Sequence, residues 1–183
     1  LMDCPLIDGL SNLALESMLT HTQSLRSLSF SCRAEEDIDV AAVRSGLKKN
    51  TTLRELTLEC SQNANTFSPL LTSVRDHPLL QRLCVKGDVR NLTGLETLLL
   101  SDTSKITELE IHRFCGRPII GLTSVLQALA RRPTLTKLAL CRVRLGRDDA
   151  RLLCMALCNV PNLQTLVLRY NHLGSAGLAE LAP

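Results

Sequence analysis

The sequence has almost no aromatic residues. They make up 2% of 183 residues, with no Trp, one Tyr and three Phe. Apolar content is nevertheless ordinary at 45%. A core built without rings must come from Leu, Val, Ile and Ala. That predicts thin, regular layers of similar side chains instead of one large irregular core. Long apolar runs are also missing; none approaches the roughly 18 residues that span a bilayer, which argues against a membrane partner. The opening residues, LMDCPLIDGL, lack a basic stretch followed by an apolar one, so no signal peptide is expected. Charge of one sign is scarce too. The net charge is +3. Residues 1–91 carry 10 basic and 11 acidic side chains, and residues 92–183 carry 11 and 7. This is far from the basic footprint of a nucleic-acid binder. No nucleophile elbow, P-loop or paired-histidine motif occurs, so no catalytic residue, cofactor or metal is assigned and the chain is not read as an enzyme.

What is present is a period. The frame Leu163, Leu166, Leu168 recurs as Leu135, Leu138, Leu140, then as Ile106, Leu109, Ile111 and as Leu80, Leu83, Val85. It continues as Leu53, Leu56, Leu58 and as Leu25, Leu28, Phe30. Successive first positions are separated by roughly 26 to 29 residues, a spacing that marks repeat architectures. Leu95, Leu98 and Leu100 fit the same frame but fall about half a period after Leu80, out of step with the rest. Leu92, Leu95, Leu98 and Leu99 therefore read as a helical face. Each triplet is a short strand with alternating inward residues. The segment after it has helical spacing, as in Val40, Val43, Leu47 or Leu153, Ala156, Leu157, Val160. Ser68 before Pro69 and Asp148 after Gly146 are expected helix caps. His77-Pro78, Arg132-Pro133 and Val160-Pro161 are expected stops.

One strand and one helix per period predicts a right-handed α/β solenoid. Its strands form a concave parallel sheet and its helices a convex layer. Stacked units bury faces that no single unit could bury alone. Residues 1–183 are expected to form a single domain of about six and a half repeats, starting near 25, 53, 80, 106, 135 and 163. Neither end carries a polar cap, which predicts a segment of a longer array and end-to-end self-association through uncapped edges.

The stretch LVLRYNHLGSAGLAEL, with Leu166, Leu168, Asn171, Leu173, Gly174, Gly177, Leu178 and Leu181, resembles the leucine-rich repeats of the ribonuclease-inhibitor type. The preceding copy matches with Val143 at the asparagine position and Asp149 at the second glycine. Earlier copies keep the strand frame, while Arg33, Ser61, Asp88 and Phe114 stand at the asparagine position. The resemblance implies a horseshoe fold and a protein–protein interaction module. It also allows two other roles. One is a ligand-sensing or autoinhibitory segment of an intracellular immune receptor or plant Roco-type protein; the other is a GTPase regulator.

Alternation along the strands directs three rows of residues to the concave side. The first reads Ser27, Glu55, Arg82, Glu108, Lys137, Thr165. The second reads Ser29, Thr57, Cys84, Glu110, Ala139, Val167, and the third Ser31, Glu59, Lys86, His112, Cys141, Arg169. The candidate partner-binding residues are Glu55, Glu59, Arg82, Lys86, Glu108, Glu110, His112, Lys137 and Arg169. Alternating signs argue against a phosphate backbone as ligand. A polar docking surface and a self-paired solvated face remain the two readings. A second candidate is the basic cluster Arg142, Arg144, Arg147 and Arg151, near Arg131 and Arg132.

Eight cysteines invite a disulfide or metal reading. Cys4, Cys32 and Cys60, however, are spaced by the repeat, as a recurring small buried slot would be. They read as reduced, compact hydrophobes, with a Cys32–Cys60 bridge as the alternative. The four histidines lie in different repeats, and no C-x-x-C pair or paired-histidine motif occurs. Many free thiols point to a reducing compartment and a cytoplasmic location.

Overall fold

The computed structural model describes residues 9–32, 40–60, 67–87, 89, 91–114 and 119–181. Helices and strands alternate along the chain. They run α1 (Gly9–His21), β1 (Ser27–Cys32), α2 (Val40–Lys49), β2 (Glu55–Cys60), α3 (Phe67–Ser73), β3 (Arg82–Gly87) and α4 (Leu95–Leu100). Then follow β4 (Glu108–Arg113), α5 (Leu122–Leu129), β5 (Lys137–Cys141), α6 (Arg147–Leu157), β6 (Thr165–Val167) and α7 (Gly174–Leu181). The six strands form one parallel sheet in chain order, β1 to β6, and the sheet does not close. This is the solenoid that the leucine period predicts.

The three aliphatic positions of each triplet form internal ladders. In the middle ladder Leu56, Leu83, Leu109 and Leu138 are all 0% exposed. Burying one such side chain contributes roughly 1.5–3 kcal/mol, so repetition builds the core without aromatics. The ladders loosen at both ends: Leu28 and Phe30 are half-buried, and Leu166 is 40% exposed. The out-of-period leucines are helical, as expected, and Leu95, Leu98 and Leu99 face the core from α4.

Backbone hydrogen bonds set the stacking at the start of each strand. The Arg26 carbonyl accepts from both Arg54 N and Glu55 N, and the Arg54 carbonyl accepts from Gln81 N and Arg82 N. The carbonyls of Gln81, Thr107 and Thr136 repeat this toward the next strand. One oxygen taking two donors per repeat fixes the register of each strand on its predecessor.

Local details differ from the sequence expectations. Asp148 is not the cap of α6: the neighbouring Asp149 accepts the Gly146 N–H at 3.0 Å, as the third residue of a helix can. Ser68 lies inside α3, which begins at Phe67, and its carbonyl accepts from the Thr72 hydroxyl at 2.8 Å. The helices end about one turn before Pro78, Pro133 and Pro161, because each turn tightens before the proline arrives. Cys32 and Cys60 are Cα partners across β1 and β2. Their side chains, and Cys4, lie outside the described residues, as do Arg33, Ser61 and Asp88.

Candidate functional site

The register brings the expected rows together residue by residue. Ser27 pairs with Glu55, Glu55 with Arg82, Arg82 with Glu108, Glu108 with Lys137, and Lys137 with Thr165. Neighbouring strands stand about 4.8 Å apart, so charged tips on adjacent strands can meet.

They do meet. The Arg82 guanidinium reaches both ways. Its Nη1 donates to Glu55 Oε1 at 2.8 Å, and its Nε and Nη2 donate to Glu108 Oε2 and Oε1 at 2.7 and 3.0 Å. The Glu108 contact is the two-pronged form that suits arginine. It holds the Glu108 carboxyl below the ordinary carboxylate range, and Arg82 is raised in turn. Lys137 Nζ donates to Glu110 Oε1 at 2.6 Å. His112 Nε2 lies 3.0 Å from Glu110 Oε2. Burial alone would raise the Glu110 carboxyl, but its contacts with Lys137 and His112 outweigh that and lower it.

Three concave positions on β3 and β5 are more enclosed than alternation suggests. Cys84 is 6% exposed, Ala139 2% and Cys141 7%, although all three belong to concave rows. Small side chains between long charged neighbours lose exposure to the stems of those neighbours. Burial pushes the Cys84 thiol up to about 11, so the sulfur is protonated at neutral pH. Glu59 and Lys86 sit half-buried in the third row and are Cα partners. Arg169 is a partial exception to the expected row. Strand β6 is only three residues long and its pairing stops at Ala139–Val167. Arg169 lies beyond it, exposed, with its carbonyl accepting from Arg142 N at 3.0 Å.

The basic cluster is less of a unit than its spacing suggests. Arg142 lies over the exposed Tyr170 ring, 4.8 Å from the centroid, a cation–π contact across the last turn. Arg147 is neutralised by Glu180 of α7, at 2.9 and 2.8 Å. Arg142 and Arg144 both have positive φ, 57° and 62°. Their backbone follows the turn, and their side chains are exposed. Arg132 leaves the cluster altogether. It is 6% exposed and donates to the carbonyls of Leu98, Leu99, Ser101 and Ser104 in the preceding repeat. Sequence reasoning missed this role, because the acceptors lie a whole repeat away and carry no side-chain signature.

Asn171 shows what the asparagine position does. Its Oδ1 accepts from Val143 N and Leu145 N of the preceding turn at 3.1 and 3.2 Å, and its Nδ2 donates to the Leu140 carbonyl at 2.7 Å. It stitches the last two repeats through otherwise unpaired backbone. Val143 at the equivalent position makes no such bond and is instead packed in the core, 0% exposed.

The fold and this face define an open repeat solenoid that presents a charged, laterally paired sheet surface. No family model matches the chain. The chain is 29% identical over 171 residues to the human NACHT, LRR and PYD domains-containing protein 5; the match takes in 87% of this chain and 14% of that protein. The chain thus spans a small part of the length of that relative. The likeness agrees with a leucine-rich reading of the repeats. Among the described residues no helix is long and apolar enough to cross a membrane.

Proposed function

We propose that the chain is a protein-docking segment of the ribonuclease-inhibitor-like leucine-rich repeat type, binding a partner protein through its concave sheet face. The observation that carries this is the fixed stripe Glu55–Arg82–Glu108, with Lys137–Glu110–His112 beside it. Long charged side chains normally lose rotamer freedom when a partner immobilises them, at about 0.5–1.5 kcal/mol each. Here lateral pairing has already ordered them. The mixture of signs suits a protein surface of mixed charge better than a uniform polyanion. In this reading Glu59, Lys86 and Arg169 extend the contact beyond the paired stripe, the module acts by binding and not by catalysis, and it works in the cytoplasm.

The likeness to a protein named for NACHT and PYD domains as well as repeats supports a second, compatible reading. The chain would then be the ligand-sensing or autoinhibitory part of a multidomain intracellular receptor, and the concave face would meet another domain or a ligand of that receptor.

The test is affinity purification from cells with the wild-type chain and with the triple variant Glu55→Gln/Glu108→Gln/Glu110→Gln. An Arg151→Gln variant, exposed on α6, serves as a control for the convex side. Proteins recovered by wild type and Arg151→Gln but lost with the triple variant are the expected result. Partners retained by the triple variant would remove the concave face from the binding role.

A further inference from the structure

The concave face holds a second arrangement, which shares Glu110 and His112 with the docking stripe and adds Cys84. Cys84 of β3 and Glu110 and His112 of β4 each offer one ligand atom, and these atoms all lie within 4.8 Å of one another. The topology accounts for the meeting. Cys84 and Glu110 are Cα partners across the ladder. His112 follows Glu110 by two residues and so projects from the same face. A search for ligand spacing along the chain passes over this set, because the cysteine and the histidine stand one full repeat apart and meet only when two repeats stack.

We infer that Cys84, Glu110 and His112 form a binding site for one zinc(II) ion on the concave face. Thiolate, imidazole and carboxylate are the ligand types zinc takes, at about 2.3, 2.0–2.1 and 2.0–2.2 Å in a tetrahedron. Ligand atoms at those distances stand roughly 3.3–3.6 Å from one another. His112 Nε2 and Glu110 Oε2 already stand 3.0 Å apart, so a small widening of that contact admits the ion. The sulfur selects against calcium and magnesium, which prefer all-oxygen sites. On coordination the Cys84 thiol loses its proton to solvent, as metal-bound thiols do. The thiolate and the Glu110 carboxylate then supply two negative charges against the two positive charges of the ion. Lys137 holds the other carboxylate oxygen, Oε1, at 2.6 Å and leaves Oε2 to the metal. Cys141 falls outside the cluster, although it is the Cα partner of His112. Among the described residues no fourth ligand joins the cluster, which leaves the fourth position to water in an open site of three protein ligands.

The experiment is a titration of the reduced chain with cobalt(II) as spectroscopic probe, followed by competition with zinc(II). The expected result is one cobalt per chain, with a thiolate-to-cobalt charge-transfer band and the strong visible bands of a tetrahedral ion, displaced by one equivalent of zinc. Cys84→Ser and His112→Ala should each remove the spectrum and weaken zinc binding by more than about tenfold. His112 is half-exposed, so His112→Ala is expected to fold, and its circular dichroism checks this. Zinc should raise the melting temperature of the wild type and leave that of His112→Ala unchanged. The chain has eight cysteines, among them Cys154 and Cys158 at α6, so Cys154→Ser/Cys158→Ser is the control and should keep the full spectrum. Absence of the charge-transfer band would overturn the site. So would its survival in Cys84→Ser or His112→Ala, or its loss in the α6 control.

Discussion

Replacing Arg132 should loosen the joint between two repeats more than any surface change nearby. Its guanidinium sits at the end of α4 from the repeat before its own. Nη1 donates to the Ser104 carbonyl at 3.0 Å, Nη2 to those of Ser101 and Leu98, and Nε to that of Leu99. The last carbonyls of a helix lack intrahelical partners and carry the negative end of its dipole. A buried cation there both caps and neutralises them. Burial pulls the Arg132 pKa down and Asp102 opposes that, yet an arginine remains charged at neutral pH. Of the four contacts, those to Leu99 and Ser104 are buried. The Leu98 contact is long at 3.4 Å, and the Ser101 acceptor is partly exposed. Counting two buried bonds from a charged donor, at about 1.5–3 kcal/mol each, and subtracting some relief from no longer burying the guanidinium, Arg132→Ala should cost about 2–4 kcal/mol. At roughly 2–4 °C per kcal/mol for a chain of this size, the melting temperature should fall by about 5–15 °C. Repeat arrays can open piecemeal, so hydrogen exchange is the sharper assay: protection should fall first in α4 and α5. Arg132→Lys keeps the charge but loses the fork and should recover less than half of the loss. A cost below about 1 kcal/mol, or exchange that rises evenly over all repeats, would refute the capping argument.

Other expectations follow from the same geometry. Glu108 and Glu110 are held below their usual value in the folded chain, so the stability they contribute is present above about pH 4.5 and lost as pH falls through their lowered values. Glu108→Gln/Glu110→Gln should flatten the fall in urea midpoint between pH 6 and pH 3, and an unchanged slope would show that the pairs are not linked to folding. Gly46→Ala should destabilise by about 1–3 kcal/mol in urea unfolding, because a Cβ there would stand 2.7 Å from Leu19 Cβ where α1 meets α2; a stabilised variant would mean that helix propensity wins and the contact yields. Leu83→Ala, at a 0% exposed rung, should cost about 2–5 kcal/mol. Leu166→Ala, at the 40% exposed rung of the same ladder, should cost less than half as much; equal costs would deny that the ladder loosens at β6.

The period, the strands and their register were legible because each rests on local spacing. Aliphatic triplets at near-constant intervals place the strands, and equal spacing then forces Glu55, Arg82, Glu108 and Lys137 into one row. The same spacing separates the helical Leu95 and Leu98 from a strand frame they match by chance. Contacts between repeats were not legible. Arg132 reads as part of a basic run with Arg131, and only the fold reveals four carbonyls around it. Cys84, Glu110 and His112 carry no local motif, since their meeting depends on a stacking offset and on side-chain rotamers. The cap of α6 was misplaced by two residues, at Asp148 instead of Gly146, because several polar residues near a helix start compete for the same N–H groups. Arg169 keeps its place in sequence but misses the ladder, since β6 ends two residues earlier.

Alternating charge on the concave face separates stability from recognition. Arg82 stands between two carboxylates, each partly open to solvent, so each of its ion pairs contributes on the order of 0–1 kcal/mol. Without the arginine, Glu55 and Glu108 would be left two strand spacings apart, roughly 10 Å. That is about the distance over which salt at physiological strength screens charge. The stack therefore depends little on the stripe, because the buried leucine ladders and the paired strand entries hold the repeats together. The order of the charged side chains, by contrast, depends heavily on it: one guanidinium fixes two carboxylates on different strands in a single geometry. A surface of this kind can vary its charges from repeat to repeat without threatening the fold. Here the core and the concave face divide the work: the inward leucines answer to packing, and in the proposed reading the residues between them answer to a partner.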